Sequence, residues 1–335
     1  MKALRLHGPR DLRLHEEPLP VAGPGEALVR VTAVGICGSD LHWFEDAAIG
    51  EVRLDQPMVL GHELAGVTTD GRQVALEPNV ACLACRPCEQ GHPNLCPSVR
   101  FPGTSGIDGG LREWMAWPER CLVPLPAGFT AAEGALLEPL GIVMHALDLA
   151  HLRPGMSVGV FGCGPIGLLA LQAARAAGAG PLYATERADR PHRLEAARAL
   201  GATVFSAEGG AEGRSIQAAT GGAGVDVAME AAGEAEALDA AVEAAGIGAR
   251  VVVVGIASDE RTSFPAAPAR RKGLTFLISR RAKNLYPRAI RLVQSGRVDL
   301  RSPVTHRFPL EEASGAFAVA SHREGLKVVI EPGRP

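Results

Sequence analysis

The sequence predicts an α/β protein in which a doubly wound parallel sheet is inserted into a β-rich domain. Residues 1–60 form short alternating strands, ALVRVTAV being the clearest, separated by Pro and Gly turns such as GPGE and GICGSD. From about His151, buried strands alternate regularly with helices, and right-handed crossovers between such strands produce a parallel sheet. A glycine-rich G-x-G-x-x-G turn follows the first of these strands.

Strands and helices follow one another in order through the inserted domain. VGVFG is a buried strand, LLALQAARAAG a helix with apolar residues at helical spacing, PLYATE a strand and RPHRLEAARALGA a helix. TVF, VDVAMEAAG and ARVVVVG continue as strands, with the helix EAEALDAAVEAAG before the last. We therefore expect residues 151–280 to form one domain and residues 1–150 with 281–335 to form the other. PRAIRLVQSG predicts a helix, and the terminal β-type run rejoins the first domain.

Composition excludes several classes of protein. The chain has 335 residues, of which 47% are hydrophobic, and this is sufficient for two cores. Its apolar runs fall far short of the roughly 20 residues that a membrane-spanning helix needs. With 34 basic and 37 acidic side chains the net charge is −3, which does not indicate a nucleic-acid partner. The N-terminal segment MKALRLHGPRDLRLHEEPL lacks the apolar core of a secretion signal, so we expect a cytoplasmic protein.

Four cysteines form the most specific motif. Their spacing, C-x2-C-x2-C-x7-C, suits a tetrahedral thiolate cage around a structural Zn²⁺, and the residues are Cys82, Cys85, Cys88 and Cys96. If they formed disulfides instead, the protein would need an oxidising compartment, which the N-terminal segment does not favour. Zinc ribbons of nucleic-acid proteins usually divide their ligands between two separated C-x2-C pairs, unlike this compact lobe.

The glycine-rich turn predicts a dinucleotide site at the start of a helix, where backbone N–H groups can hold a pyrophosphate. The candidate residues there are Gly162, Gly164, Pro165, Ile166 and Gly167. Glu186 ends the next strand, near the offset of about 20 residues expected for the carboxylate that binds the adenosine ribose. That carboxylate repels a 2′-phosphate and favours NAD over NADP, although the adjacent Arg187 could accommodate a phosphate. The alternative is a glycine turn without a ligand.

A second set of possible metal ligands lies nearer the N-terminus. Cys37 in GICGSDLH, with His62 and Glu63 in LGHELAG, offers a thiolate, an imidazole and a carboxylate, and a catalytic zinc needs three protein ligands and an open position. Glu138 in ALLEPLGIVMHAL is a fourth candidate, since a carboxylate among apolar residues must find a metal, a cation or hydrogen bonds. Asp40 either orients His62 through its other ring nitrogen or stabilises the turn.

These segments resemble the zinc-dependent medium-chain dehydrogenases, and especially the sorbitol (polyol) dehydrogenases. The similarity lies in CGSDLHWFEDAAIGEVRLDQPMVLGHELAG, the cysteine lobe, LLEPLGIVMHA, the glycine turn and THRFPLEEA, and it covers essentially the whole chain. It implies a GroES-like β-rich catalytic domain with an inserted Rossmann sheet. It further implies two Zn²⁺ per chain, one held by the lobe and one by Cys37, His62, Glu63 and Glu138, together with NAD. A dimer or homotetramer is also implied.

The resemblance implies zinc-assisted alcohol oxidation, in which the metal lowers the pKa of the substrate oxygen and the carbon releases hydride to nicotinamide. Ser39 would hydrogen-bond the reacting oxygen, and Glu138 would bind the zinc directly or through its water. His42 would relay the proton toward solvent, unless it is only an exposed turn histidine.

Two positions depart from the polyol pattern and bear on the substrate. Trp43 stands where those enzymes carry tyrosine, so a hydroxyl is lost. Arg281 in SRRAKNLYPRAI matches an arginine that contacts substrate, whereas Ala282 replaces its tyrosine neighbour. Arg280 and Lys283 add positive charge, which favours a more polar or acidic substrate unless the segment is a solvated basic loop.

The sequence therefore predicts an NAD-dependent zinc oxidoreductase that converts a secondary alcohol of a polyol-like substrate to a ketone. Threonine 3-dehydrogenase and glucose dehydrogenase share the zinc motifs and remain alternatives with the same mechanism. A non-catalytic NAD-binding zinc protein would carry one zinc instead of two. The apolar LTFLI run predicts a sheet edge that could pair with a second copy of the chain.

Overall fold

The computed structural model describes residues 1–104, 106–257 and 261–333. The chain divides into two compact units. Unit 1 comprises Met1–Pro139, Arg281–Ile290 and Asp299–Pro335, and unit 2 comprises Leu140–Arg280 and Arg291–Val298. The first boundary falls inside a helix, Leu137–Leu149, and a second helix, Tyr286–Gln294, also crosses between the units.

Unit 1 is built mainly from antiparallel strands. Its strands are β1 (Lys2–Gly8), β2 (Asp11–Glu16), β3 (Glu26–Gly35), β4 (Ala48–Ile49), β5 (Val52–Arg53), β6 (Met58–Val59), β7 (Glu63–Thr68), β8 (Gln73–Leu76), β9 (Trp114–Pro118), β10 (Leu122–Pro124), β17 (Val304–Pro309) and β18 (Lys327–Glu331). Its helices are α1 (Gly38–Asp46), α2 (Arg86–Glu89), α3 (Ala131–Ala135) and α11 (Ala313–Ser321), with short 3₁₀ turns at Pro93–Leu95, Glu119–Cys121 and Leu310–Glu312.

Strand β3 is central to the main sheet of unit 1, whose order is β10-β8-β7-β3-β18-β17, with β9 also paired to β3. At the end of β3, Gly35 lies opposite Glu63 of β7 on one side and Val329 of β18 on the other. The core beside this sheet contains large buried side chains, among them Trp43 and Phe317. The register therefore brings the segment before Cys37, the segment after His62 and the start of β18 together.

Unit 2 has the predicted parallel sheet. Its strands are β11 (Val158–Phe161), β12 (Leu182–Arg187), β13 (Thr203–Ala207), β14 (Val225–Glu230), β15 (Ala245–Val253) and β16 (Thr275–Ile278), all paired in parallel in the order β13-β12-β11-β14-β15-β16. Its helices are α5 (Pro165–Ala176), α6 (Pro191–Ala199), α7 (Ala211–Ala219), α8 (Ala235–Ala244) and α9 (Ala266–Lys272), and the helices shared with unit 1 are α4 (Leu137–Leu149) and α10 (Tyr286–Gln294).

The strand order of unit 2 reverses direction between β11 and β14, which creates the crevice where doubly wound sheets bind ligands at the carboxyl ends of their strands. The glycine turn follows β11 at this point. The prediction that LTFLI lies at a sheet edge is confirmed, because β16 is the last strand in the order. Among the described residues, no helix is both long and apolar enough to cross a membrane.

Candidate metal and cofactor sites

The four lobe cysteines lie close together in unit 1. The separation is 3.4 Å between the Sγ atoms of Cys85 and Cys88, 3.8 Å between those of Cys85 and Cys96, and 3.5 Å between those of Cys96 and Cys82. Four sulfurs bound tetrahedrally at 2.3 Å from Zn²⁺ would stand about 3.8 Å apart. The backbone N–H of Cys82 donates to Cys96 Sγ at 3.4 Å, so the lobe backbone also faces the sulfurs. The geometry fits a tetrahedral metal.

The electrostatics of the lobe also call for a cation. The backbone N–H of Ala84 and hydrogen bonds shared with Cys96 and Cys85 lower the pKa of Cys82 to about 6. At Cys85, a hydrogen bond from the backbone of Cys88 is outweighed by desolvation and the neighbouring thiols, which raise the pKa to about 12. Four thiols this close cannot all ionise unless a cation offsets their charge, so thiolate formation and metal binding are coupled.

The second candidate set surrounds His62, and its ligand atoms are more widely spaced than those of the lobe. In the described part of the chain, the lobe is the only group in which three or more His, Cys, Asp or Glu ligand atoms all lie within 4.8 Å of one another. Asp40 organises the second set. Its carboxylate accepts hydrogen bonds from the backbone N–H of Cys37 at 2.9 Å and of Gly61 at 3.1 Å, and Oδ1 lies 3.6 Å from His62 Nδ1. Asp40 therefore both stabilises the turn before α1 and faces the ring of His62.

His62 is buried among negative groups. Burial lowers its pKa, but the carboxylate of Asp40 and the sulfur of Cys37 outweigh this effect and raise the pKa well above its usual value. The surroundings thus stabilise positive charge at this position. Because Asp40 faces Nδ1, the other nitrogen, Nε2, is the one presented to a metal. A thiol, an imidazole and carboxylates in a buried, electronegative place match the donor set of a zinc site.

Glu63 has a partner that sequence reasoning missed. Lys327 Nζ lies 2.6 Å from Oε1, which accepts its hydrogen bond, and 2.5 Å from Oε2, which is in ion-pair contact but outside hydrogen-bond geometry. The same ammonium donates to the carbonyl of Ile36 at 2.8 Å. Both charged side chains are buried, with 2% and 1% of their surface exposed. A Cβ on Gly35 would lie 2.0 Å from Glu63 Oε2, so this carboxylate requires glycine on the neighbouring strand.

Glu138 lies in the first turn of α4 and is only 4% exposed. Burial raises its pKa to about 7, and the charges of Glu63 and Asp40 add to this effect, while His62 and Lys327 oppose it. Three buried carboxylates, those of Glu138, Glu63 and Asp40, therefore repel one another beside the imidazole of His62. A bound cation would relieve this mutual repulsion.

The proposed substrate and proton-relay residues take different positions. Ser39 Oγ lies 3.5 Å from His62 Nε2, beside the nitrogen that would bind a metal. His42 is half-buried on α1. Trp43 is 2% exposed within the core of unit 1, and its indole N–H has no acceptor among the described residues.

Arg281 is connected to His62 through an aromatic ring. Its backbone is left-handed, with φ +55°, and its guanidinium lies 5.0 Å from the ring centre of Phe101. That ring is 5.1 Å from the ring of His62. Sequence reasoning missed Phe101, because a single aromatic residue after the cysteine lobe belongs to no spacing pattern that could single it out.

The glycine turn has the shape that a pyrophosphate needs. Gly162 has φ +104°, a conformation that other residues rarely adopt, and a Cβ on Gly167 would lie 1.8 Å from the carbonyl oxygen of Gly162. Gly164 caps α5, and a Cβ there would meet nothing closer than Arg193 Nη1 at 3.6 Å. Gly162 and Gly167 are therefore required by the protein itself, whereas Gly164 leaves space above the helix N-terminus.

Glu186 lies at the end of β12, and its carboxylate has three hydrogen-bond donors and one further ion-pair contact. Oε1 accepts from the backbone N–H of Arg187 at 3.0 Å and from Arg190 Nη1 at 3.2 Å, and Oε2 accepts from the backbone N–H of Cys163 at 3.2 Å and faces Arg193 Nη1 at 3.5 Å. The side chain of Arg187 pairs with Asp189 instead. Sequence reasoning singled out Arg187 but missed Arg190 and Arg193. Their spacing from Glu186 on a helix start was the available signal.

Known proteins match this chain over essentially its full length. Residues 23–127 match the family described as alcohol dehydrogenase GroES-like domain, and residues 165–295 match the family described as zinc-binding dehydrogenase. The chain is 34% identical to sorbitol dehydrogenase from Bacillus subtilis, covering 100% of this chain and 98% of that protein. It is 36% identical to sorbitol dehydrogenase from Bos taurus, covering 98% and 95%. The structure of the alcohol dehydrogenase TADH from Thermus sp. ATN1 is similar, with a TM-score of 0.89, 32% identity and 99% of both chains covered.

Proposed function

We propose, from the premise that this chain belongs to the zinc-dependent medium-chain dehydrogenase family, that it oxidises a secondary hydroxyl of a polyol-like alcohol to a ketone. The chain is an NAD-dependent zinc alcohol dehydrogenase, and its substrate is a small-molecule alcohol. The observation that carries the proposal is the half-buried Cys37 beside the buried His62 and buried carboxylates, in surroundings that stabilise positive charge.

Zinc would be held by Cys37 and His62, with Glu63 or Glu138 as the carboxylate. Zinc at this position supplies Lewis acidity, which lowers the pKa of an alcohol oxygen. Asp40 keeps the ring of His62 oriented by facing Nδ1 and holds the turn of Cys37 through its backbone N–H. The four lobe cysteines would hold a second, structural zinc that leaves no open position.

Ser39 and His42 would move the alcohol proton. Ser39 Oγ, 3.5 Å from His62 Nε2, is within reach of an oxygen bound beside that nitrogen. His42 follows three residues later on the same helix and is half-buried, so it can exchange a proton with solvent. Ser39 would accept the proton of the substrate hydroxyl while donating its own toward His42.

Substrate recognition would come from Trp43, Glu138 and Arg281. The indole N–H of Trp43, buried without an acceptor among the described residues, could donate to a substrate hydroxyl. The guanidinium of Arg281 is held over Phe101, whose ring lies against His62, so it can reach a more distant hydroxyl. Several hydrogen-bonding groups around a metal favour a substrate with several hydroxyls over a simple alcohol.

At the cofactor site, the pyrophosphate would lie over Gly164 at the N-terminus of α5, flanked by Pro165 and Ile166. The adenosine ribose would lie toward Glu186 and Arg187 at the end of β12. The protein contributes binding and orientation here, and NAD accepts the hydride.

A homo-oligomer is also proposed, as a dimer or tetramer. Strand β16 is the outer strand of the unit 2 sheet, and Ile278 at its end is 70% exposed. An apolar, unpaired edge of this kind can pair with the same edge of a second copy. Light scattering at micromolar concentration should give at least twice the chain mass.

Metal analysis combined with an activity panel tests the proposed function. We expect two zincs per chain and NADH formation with sorbitol or xylitol, and the panel should include threonine, glucose and 2,3-butanediol. Cys37→Ala should lose one zinc and all turnover, whereas Cys121→Ala, a buried cysteine outside both sites, should keep both. A preference for threonine or glucose would replace the substrate class, and one zinc without turnover would support a non-catalytic NAD-binding protein.

A further inference from the structure

We propose that the adenosine end of the cofactor site accepts a 2′-phosphate, so that this enzyme uses NADP as well as NAD, and that Arg190 is the residue that decides this specificity. The inference rests on the proposed function only in taking unit 2 to bind a nicotinamide dinucleotide. Nothing in it depends on the alcohol that is oxidised.

The first step concerns the hydrogen-bonding capacity of Glu186. A carboxylate has about four lone-pair positions, and here two backbone N–H groups and the guanidiniums of Arg190 and Arg193 already face its two oxygens. Selection for NAD depends on the ribose hydroxyls donating to such a carboxylate. Because Glu186 already accepts three hydrogen bonds and is in ion-pair contact with Arg193, a ribose hydroxyl must compete with these partners, and the advantage of NAD is reduced.

The second step concerns charge. A bare carboxylate would repel a 2′-phosphate, but two guanidiniums within 3.2 and 3.5 Å offset the charge of Glu186. Two other carboxylates act on arginines at this site. Asp189 contacts Arg187 and Arg190, and Glu234 acts on Arg187. Because Asp189 is exposed, its ion pairs are weak, and a phosphate dianion can compete with it for Arg187 and Arg190.

The third step distinguishes the arginines. The side chain of Arg193 is 5% exposed and lies beside Gly164, so it belongs to the interior of the turn. The side chain of Arg190 is 28% exposed and its residue caps α6, where the helix dipole adds positive potential. A guanidinium at this place can bind a phosphate through two parallel hydrogen bonds while it remains close to Glu186.

Direct binding measurements test the proposal without any substrate. NADH and NADPH are titrated into the zinc-loaded full chain, with nicotinamide fluorescence as the readout. We expect the two Kd values to agree within about tenfold in the unmodified protein. Arg190→Ala should weaken NADPH binding by about tenfold or more while changing NADH binding less than about threefold, since the hydrogen bonds between the guanidinium and the 2′-phosphate are lost. Arg198→Ala, an exposed arginine near the end of the same helix, should change neither.

Two further measurements exclude a merely structural effect. Arg190→Lys keeps the positive charge but not the planar guanidinium, so its affinity for NADPH should lie between those of the unmodified protein and Arg190→Ala. Added salt should weaken NADPH more than NADH in the unmodified protein, and this difference should shrink in Arg190→Ala. The proposal is overturned if NADPH binds more than about tenfold more weakly than NADH, or if Arg190→Ala weakens both equally. Binding of NADH alone overturns this inference and leaves the proposed function intact, whereas binding of neither nucleotide overturns both.

Discussion

Replacing Lys327 by methionine tests the buried ion pair next to the proposed zinc ligands. The ammonium of Lys327 lies between the carboxylate of Glu63 and the carbonyl of Ile36, and these residues adjoin His62 and Cys37 in the chain. The Lys327→Met variant leaves Glu63 as an uncompensated buried charge and removes the donor to Ile36. We therefore expect the variant to be less stable.

The size of the effect follows from burial. Breaking a buried pair by removing one partner costs about 3–5 kcal/mol. Unit 1 spans about 190 residues, and in a domain of that size each kcal/mol lowers Tm by about 2–4 °C. The Lys327→Met variant should thus melt about 6–20 °C lower in calorimetry.

Lys2→Met is the matched control, since Lys2 also pairs with a glutamate, Glu311, but at an exposed position. Because solvent screens this exposed pair, the Lys2→Met variant should melt within about 4 °C of the unmodified protein. Adding Glu63→Gln to Lys327→Met removes the stranded charge and should recover part of the lost stability. If Lys327→Met melts within about 2 °C of the unmodified protein, the reasoning from the buried pair is wrong.

Three further predictions concern the lobe, one ion pair and the glycine turn. Cys88→Ser should lower the zinc content by one per chain, because the lobe loses one of its four sulfurs; an unchanged metal content would contradict the cage. Burial raises the pKa of Glu133, but hydrogen bonds from Arg301 and the Thr130 cap outweigh this and lower it. Glu133→Gln should therefore cost about 1 kcal/mol at neutral pH, and the difference from the unmodified protein should shrink as pH falls below about 4.5, as measured by urea unfolding. Gly167→Ala should destabilise unit 2, since its Cβ meets the Gly162 carbonyl, whereas Gly164→Ala should fold normally but bind NADH weakly; equal melting temperatures for the two would refute this distinction.

Motifs confined to a short stretch were predictable, and contacts between distant stretches were not. The cysteine lobe lies within fifteen residues and the glycine turn within six, so spacing alone indicated what these residues could bind. The alternation of strands and helices predicted the parallel sheet, which the structure and the family matches confirm. The domain limits differ in detail, since helix α4 begins in unit 1 and the division falls at Pro139.

The residues that sequence reasoning missed act across long separations or outside any motif. Lys327 was missed because 264 residues separate it from Glu63, and a lone lysine at the start of a strand usually faces solvent. Phe101 was missed because ring contacts with His62 and Arg281 depend on the folded backbone. The substrate role of Trp43 was inferred from its neighbours in the motif, and its burial in the core of unit 1 could not be predicted from the sequence of that helix alone.

The placement of β18 next to β3 also sets the order in which the two proposed metal sites can be completed during synthesis. The lobe cysteines emerge together, so the structural cage can take up zinc as soon as residue 96 has left the ribosome. Glu63 must wait for Lys327, and 264 residues at about 5–20 residues per second take roughly 13–53 s. Over that interval the end of β3 lacks one neighbouring strand and the carboxylate lacks its ammonium. Unit 2 is translated within the same interval, so the buried Glu63–Lys327 pair forms only after unit 2 has been made.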